Sequence, residues 1–234
     1  MLLALIHSPL VGPLTWTRVA AVLSDRGVPV LLPELRDDPA SRRPFWQQQA
    51  ESAAQALAAR ASAQPLILVG HSGAGALLPA IRQALGRRVA GYIFVDAGLP
   101  VDGQTRLVTF GDQEASFREF LLGGGRFPNW TRADLQEIVP DPALAERLAA
   151  DQRPRALPFW DEPIPVFSGW PDAPGAYLLF TETYRRAAEQ ARAWGWPVRE
   201  LPAAHFHMLV EPEAVADAML ELAAPMAAPE RTNP

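Results

Sequence analysis

Leu66-Ile67-Leu68-Val69-Gly70-His71-Ser72-Gly73-Ala74-Gly75 is the stretch on which the fold turns. An apolar run enters it, small residues surround the serine, and an alanine- and leucine-bearing segment, Ala76 to Leu85, leaves it. The pattern reads as strand, sharp turn and helix, with Ser72 at the apex. A turn that tight drives its serine into a strained backbone conformation and lifts the hydroxyl above the end of the sheet. It also needs small neighbours, because strand and helix nearly touch there. Gly70 meets that need, and Ala74 stands where a G-x-S-x-G pattern has its second glycine.

Working outward, the same alternation repeats on both sides. Leu2 to Ile6 is an apolar run ending at His7, followed by a loop rich in proline and glycine (Ser8 to Pro13). An amphipathic helix is expected from Trp16 to Arg26, a strand over Val28 to Leu32 and an alanine-rich helix over Trp46 to Ala63. Beyond the serine come a strand over Val89 to Val95, closed by Asp96, and a strand over Tyr177 to Phe180. A helix over Glu182 to Trp194, a strand over Val198 to Leu201 and a helix over Pro212 to Leu222 complete the series. Strands alternating with helices imply a mostly parallel sheet covered on both faces. The core is therefore expected over residues 1–100 and 175–223, with a tail from Ala224 to Pro234 that has little to bury.

Residues 101–174 break the alternation. They carry helical patterns at Glu114–Leu122, Thr131–Val139 and Pro142–Ala150, and a set of aromatics that includes Trp130, Phe159, Trp160, Phe167 and Trp170. Such rings supply broad apolar contact.

Composition narrows the chemistry. The chain has 234 residues, 49% hydrophobic and 20% charged, which suits one domain with a sizeable core. It has no cysteine, which excludes disulfides, thiolate nucleophiles and cysteine-ligated metals. All 21 basic residues are arginine, so Schiff-base chemistry and a P-loop lysine are excluded as well. The four histidines, His7, His71, His205 and His207, lack the spacing of a zinc site. A net charge of −5 without a basic run argues against nucleic acid as a partner. No span of ~20 apolar residues would cross a membrane, and Met1 to Ile6 is too short for a signal core. The expected setting is the cytoplasm, the expected partner a small-molecule substrate, and no metal or other cofactor is required.

With these parts in order, the chain resembles the α/β-hydrolase superfamily. The resemblance covers the first strand with its His-initiated loop, the serine turn, an acid behind a later strand and a histidine near the end. It implies an α/β-hydrolase fold, with residues 101–174 forming a small helical cap over the serine. It also implies a catalytic triad in the chain order Ser, acid, His. Ser72 is then the nucleophile. The base is sought in Ala203-Ala204-His205-Phe206-His207-Met208-Leu209-Val210-Glu211-Pro212-Glu213, which looks like the family's terminal motif and selects His205 over His207. The acid has two candidates. Val95-Asp96-Ala97-Gly98-Leu99-Pro100 resembles the haloalkane-dehalogenase branch, some of whose members carry the acid after this strand. Glu182 follows the next strand, the superfamily's commoner place, although Thr181-Glu182-Thr183-Tyr184 lacks the usual G-x-x-D loop. Asp96 is preferred and Glu182 kept as the alternative.

The loop after the first strand departs from the pattern. An oxyanion hole needs two backbone N–H groups, one from Gly73 and one from this loop, usually from the third residue of His-Gly-x. Here the loop reads His7-Ser8-Pro9, and proline has no N–H, so Leu10 is the expected second donor. His7, His71, Trp130 and Trp160 are expected around the pocket. The expected activity is that of a serine hydrolase, a carboxylic ester hydrolase taking small, largely apolar esters or related acyl compounds. Two alternatives stand beside it: a cofactor-free lyase or C–C hydrolase on the same fold, and a non-catalytic member that binds a small apolar ligand.

Overall fold

The computed structural model describes residues 1–60 and 64–227. Six parallel strands form one sheet: β1 (Leu2–Ile6), β2 (Val30–Leu31), β3 (Leu66–His71), β4 (Gly91–Val95), β5 (Gly175–Leu179) and β6 (Val198–Glu200). Their spatial order is β2-β1-β3-β4-β5-β6, with register fixed by pairs such as Ile6 with Gly70 and His71 with Val95. The four central strands β1, β3, β4 and β5 are buried along their whole length. That is why they read as unbroken apolar runs rather than alternating ones.

Side chains of successive strand residues point to opposite faces. Leu3, Leu5, Ile67, Val69, Ile93 and Val95 pack on one face, with α1 (Thr17–Asp25) and α10 (Pro212–Ala227). Leu2, Ala4, Ile6, Leu68, Tyr92 and Phe94 pack on the other, with α2 (Phe45–Ala58), α3 (Leu78–Leu85) and α8 (Arg185–Ala193). The chain moves from β1 to β2 on one side and then returns to β3 on the other. The crevice between the carboxyl ends of β1 and β3 is thus the switch point, where ligands bind in open parallel sheets.

Residues between β4 and β5 hold α4 (Glu114–Leu122), α5 (Arg132–Ile138), α6 (Pro142–Ala150) and α7 (Leu157–Asp161). The first three match the expected helical patterns, and α7 is an addition. Other boundaries shift for local reasons. Behind Ser72 the chain runs as a 3₁₀ helix to Leu77 before α3 begins, because Pro79 is tolerated only in a first turn. Helix α2 stops at Ala58, short of the expected Ala63; residues 61–63 lie outside the described ones. Helix α10 runs past Leu222 to Ala227, with Met226 buried against Gly91. The expected free tail therefore begins no earlier than Ala228, and residues 228–234 lie outside the described ones. Among the described residues no helix is long and apolar enough to cross a membrane.

Candidate active site

Ser72 sits directly after β3 with φ of +56°, in the left-handed region that side-chain-bearing residues rarely adopt. Close approach of the elements around it explains the small residues. A Cβ on Gly70 would come 3.0 Å from the Leu78 side chain and 3.2 Å from the Ala74 backbone, and one on Gly75 would strike the Gly98 carbonyl.

Asp96 follows the neighbouring strand β4, also at positive φ (+42°), and is fully buried. One carboxylate oxygen, Oδ1, accepts the backbone N–H groups of Phe180 (3.0 Å) and Thr181 (2.8 Å). The other, Oδ2, accepts the Thr181 hydroxyl (2.9 Å) and His205 Nδ1 (2.6 Å). Four donors therefore orient this group, and they set His205 with Nδ1 protonated and Nε2 free to act as a base. Glu182 is placed elsewhere. It is exposed one turn further on and pairs with Arg185, so the structure does not bring it to His205.

His205 lies in the loop between β6 and α9 (His207–Val210). Tyr184 stacks on its ring, with centroids 5.5 Å apart and planes 14° from parallel. The His71 ring lies 4.5 Å away, and His71 Nε2 donates to the His205 carbonyl at 3.0 Å. His71 is fully buried, and burial pushes its pKa well below the ordinary imidazole range. It serves as a neutral brace for the His205 backbone. His207 heads α9 with its ring against Phe180, away from this cluster.

The Ser72 hydroxyl lies 3.3 Å from the Tyr184 hydroxyl, and among the described residues it has no hydrogen bond to His205. Burial raises the Tyr184 pKa to about 12, so its phenol keeps its proton at neutral pH. Nothing in their local sequence marks Tyr184 and Thr181 as site residues. They flank Glu182 in the segment after β5, where the carboxylate is the one residue whose type alone suggests an acid.

Ser72, Thr181, Tyr184 and His205 open on one cavity of about 520 Å³. Trp130 and Trp160 line it as expected, with Leu99, Phe110, Phe127 and Phe159 among the other apolar walls. His7 and His71 do not, which corrects the expectation for both. His7 is fully buried below the loop: its Nε2 accepts Leu35 N–H at 3.0 Å, and its Nδ1 donates to the Ser8 carbonyl at 2.8 Å. Burial pushes its pKa down to about 4, so it is a neutral strut. Leu10 needs a correction too. It lines the cavity, but its N–H points to Ser8 Oγ at 3.4 Å rather than standing free as an oxyanion donor.

The insertion clamps the loop that carries these residues. Gly12 N–H donates to Asp151, Arg153 N–H to the Leu10 carbonyl, and Arg155 to the Pro9 carbonyl at 3.1 Å. Arg155 also makes a bidentate pair with Asp37 at 2.6 and 2.9 Å. Glu162 caps the start of α2, accepting Phe45 and Trp46 N–H at 2.8 Å each, and pairs with buried Arg106 at 2.7 Å.

Known proteins share this arrangement of elements. Residues 3–218 match the model of a family described as the alpha/beta hydrolase family. Among solved structures, an extracellular alpha/beta-hydrolase from a Paenibacillus species aligns with a TM-score of 0.77 at 19% identity, covering 95% of this chain and 98% of that one. Polyneuridine aldehyde esterase aligns at 0.71 and 18% identity, over 95% of this chain and 98% of its own. A pyrethroid hydrolase from Sphingobium faniae JZ-2 aligns at 0.71 and 22% identity, over 96% and 97%. Among curated proteins no relative matches in sequence.

Proposed function

The chain belongs to the alpha/beta hydrolase family, and from that premise we propose that it is a serine hydrolase acting on a small, largely apolar ester or related acyl compound. The observation that carries this reading is the 2.6 Å bond from His205 Nδ1 to Asp96, with Ser72 raised on its strained turn at the same cavity.

In this mechanism a substrate displaces the resting contact between Ser72 and Tyr184, and the serine hydroxyl turns to His205. Oγ attacks the ester carbonyl as Nε2 takes its proton. His205 returns that proton to the leaving alcohol, and water then repeats the sequence in reverse to release the acid. Asp96 stabilises the imidazolium that forms between these steps and holds the ring in the productive tautomer. The polyneuridine aldehyde esterase and the pyrethroid hydrolase, named for their activities, support a hydrolytic reading for the shared fold.

Labelling by a fluorophosphonate probe tests the proposal. The expected result is one adduct on the peptide bearing Ser72, with p-nitrophenyl butyrate turnover that Ser72→Ala abolishes. Folded protein that takes no label at Ser72 and turns over no ester overturns it.

A further inference from the structure

We propose that the side-chain hydroxyl of Ser8 is the second oxyanion donor, standing in for the backbone N–H that Pro9 lacks. The inference rests on the hydrolase reading and adds a catalytic residue to it.

The oxyanion formed on attack at Ser72 must lie beside the Gly73 N–H, the donor that the serine turn supplies. Facing Gly73 across the crevice is the loop after β1. A Cβ on Gly73 would come 3.4 Å from Pro9 Cδ and 3.8 Å from Ser8 Oγ. The nearest loop atoms are thus a proline ring carbon with nothing to donate and a hydroxyl with a proton. Ser8 is 3% exposed and lines the same cavity as Ser72 and Gly73.

The hydrogen bonding around Ser8 leaves its proton available. Leu10 N–H donates to Oγ, and among the described residues the Ser8 O–H has no acceptor. A hydroxyl that accepts from an amide is a better donor in turn, because the two bonds polarise one another. Leu10 therefore contributes through Ser8 rather than directly. The position is also held before substrate arrives. The Ser8 carbonyl accepts from His7 Nδ1 at 2.8 Å and from Val11 N–H at 3.1 Å, and Arg155 holds the Pro9 carbonyl. Donors fixed in advance pay no reorganisation cost as charge develops.

In the step itself, a bond forms between Ser72 Oγ and the carbonyl carbon, and the serine proton passes to His205 Nε2. The carbonyl π pair moves onto oxygen, where the Gly73 N–H and the Ser8 O–H each donate a hydrogen bond. No bond to Ser8 forms or breaks.

The test is kcat and KM for p-nitrophenyl butyrate, measured first on the wild-type chain and Ser72→Ala, which together test the hydrolase reading. Ser8→Ala is then expected to lower kcat by about 10²–10³, the cost of losing one oxyanion donor, with KM nearly unchanged. Adding Pro9→Ala to that variant installs a backbone N–H and should recover at least tenfold. Near-isosteric Ser8→Cys, which keeps the volume but donates weakly, should also lose tenfold or more. Ser8→Ala or Ser8→Cys within threefold of an active wild type overturns the role of Ser8 and leaves the hydrolase reading standing. A loss that Pro9→Ala does not lift marks Ser8 as a support of the loop and overturns the donor role. A wild-type chain that turns over no ester overturns both.

Discussion

On the sheet side of the cavity, Asp96 is held largely by backbone, through two amides with one hydroxyl beside them, and it in turn holds His205 together with the His71 brace. On the insertion side, the loop opposite Ser72 is held by the Asp151 and Arg155 side chains and the Arg153 N–H, with Arg155 itself anchored by Asp37. The packing differs in the same way. Aliphatic residues dominate the sheet faces, whereas the insertion gathers Phe110, Phe117, Phe127 and Trp160 into one aromatic cluster. A backbone-held group follows from the register of the sheet and is hard to displace. A group held by a distant ion pair depends on two parts of the chain keeping their relation. Under the proposed function, the first region positions the chemistry and the second shapes what enters.

The sharpest way to break this contrast is at the acid. Asp96→Asn should lower kcat by about 10⁴, because an amide favours the wrong imidazole tautomer. Glu182→Gln, on an exposed surface pair, should leave kcat within twofold. Steady-state kinetics of the two variants decide, and the reverse ranking would move the role to Glu182.

The clamp is the next lever. The Arg155 and Asp37 side chains are only 10% and 3% exposed, so truncating one strands the other charge. Arg155→Met should cost about 3–5 kcal/mol of stability in urea unfolding. It should also lower kcat, because Pro9 loses its tether. A loss of stability with full kcat would show that the sheet side alone sets the loop.

The buried histidine below that loop adds a pH dependence. Folded His7 titrates near 4, while in the unfolded chain it titrates near 6.5. Between those values the unfolded state binds a proton that the folded state refuses. Stability is therefore full above pH 6.5 and declines as pH falls toward 4, by about 3 kcal/mol from this group. His71, also depressed by burial, acts in the same direction. Urea midpoints at pH 7 and pH 4.5 for wild type and His7→Asn check this. Equal acid losses in the two proteins would contradict it.

The smallest effect concerns selectivity. If the aromatic walls receive the acyl chain, kcat/KM should rise about tenfold for two added methylenes, from ~0.8 kcal/mol per buried CH₂. Values that stay flat or fall from acetyl to octanoyl esters would mean that the rings only fasten the insertion to the sheet.

How much of this was legible in the sequence follows from which forces are local. Strand runs, the serine turn and the terminal histidine segment are short-range patterns, set by burial periodicity and by the small residues that a tight turn demands. They placed Ser72, His205 and the parallel sheet, and Pro9 announced a missing donor by its own covalent structure. Between Asp96 and Glu182 the sequence gives only a preference for Asp96, since both follow strands. The contacts that favour Asp96, its bond to His205 and the Phe180 and Thr181 amides, come from the packed sheet and the adjacency of its strands. Tyr184 over His205, His7 as a strut and Arg155 on the Pro9 carbonyl likewise join residues 21, 28 and 146 positions apart or bind through backbone atoms. Such contacts depend on tertiary placement rather than on any residue's local propensity.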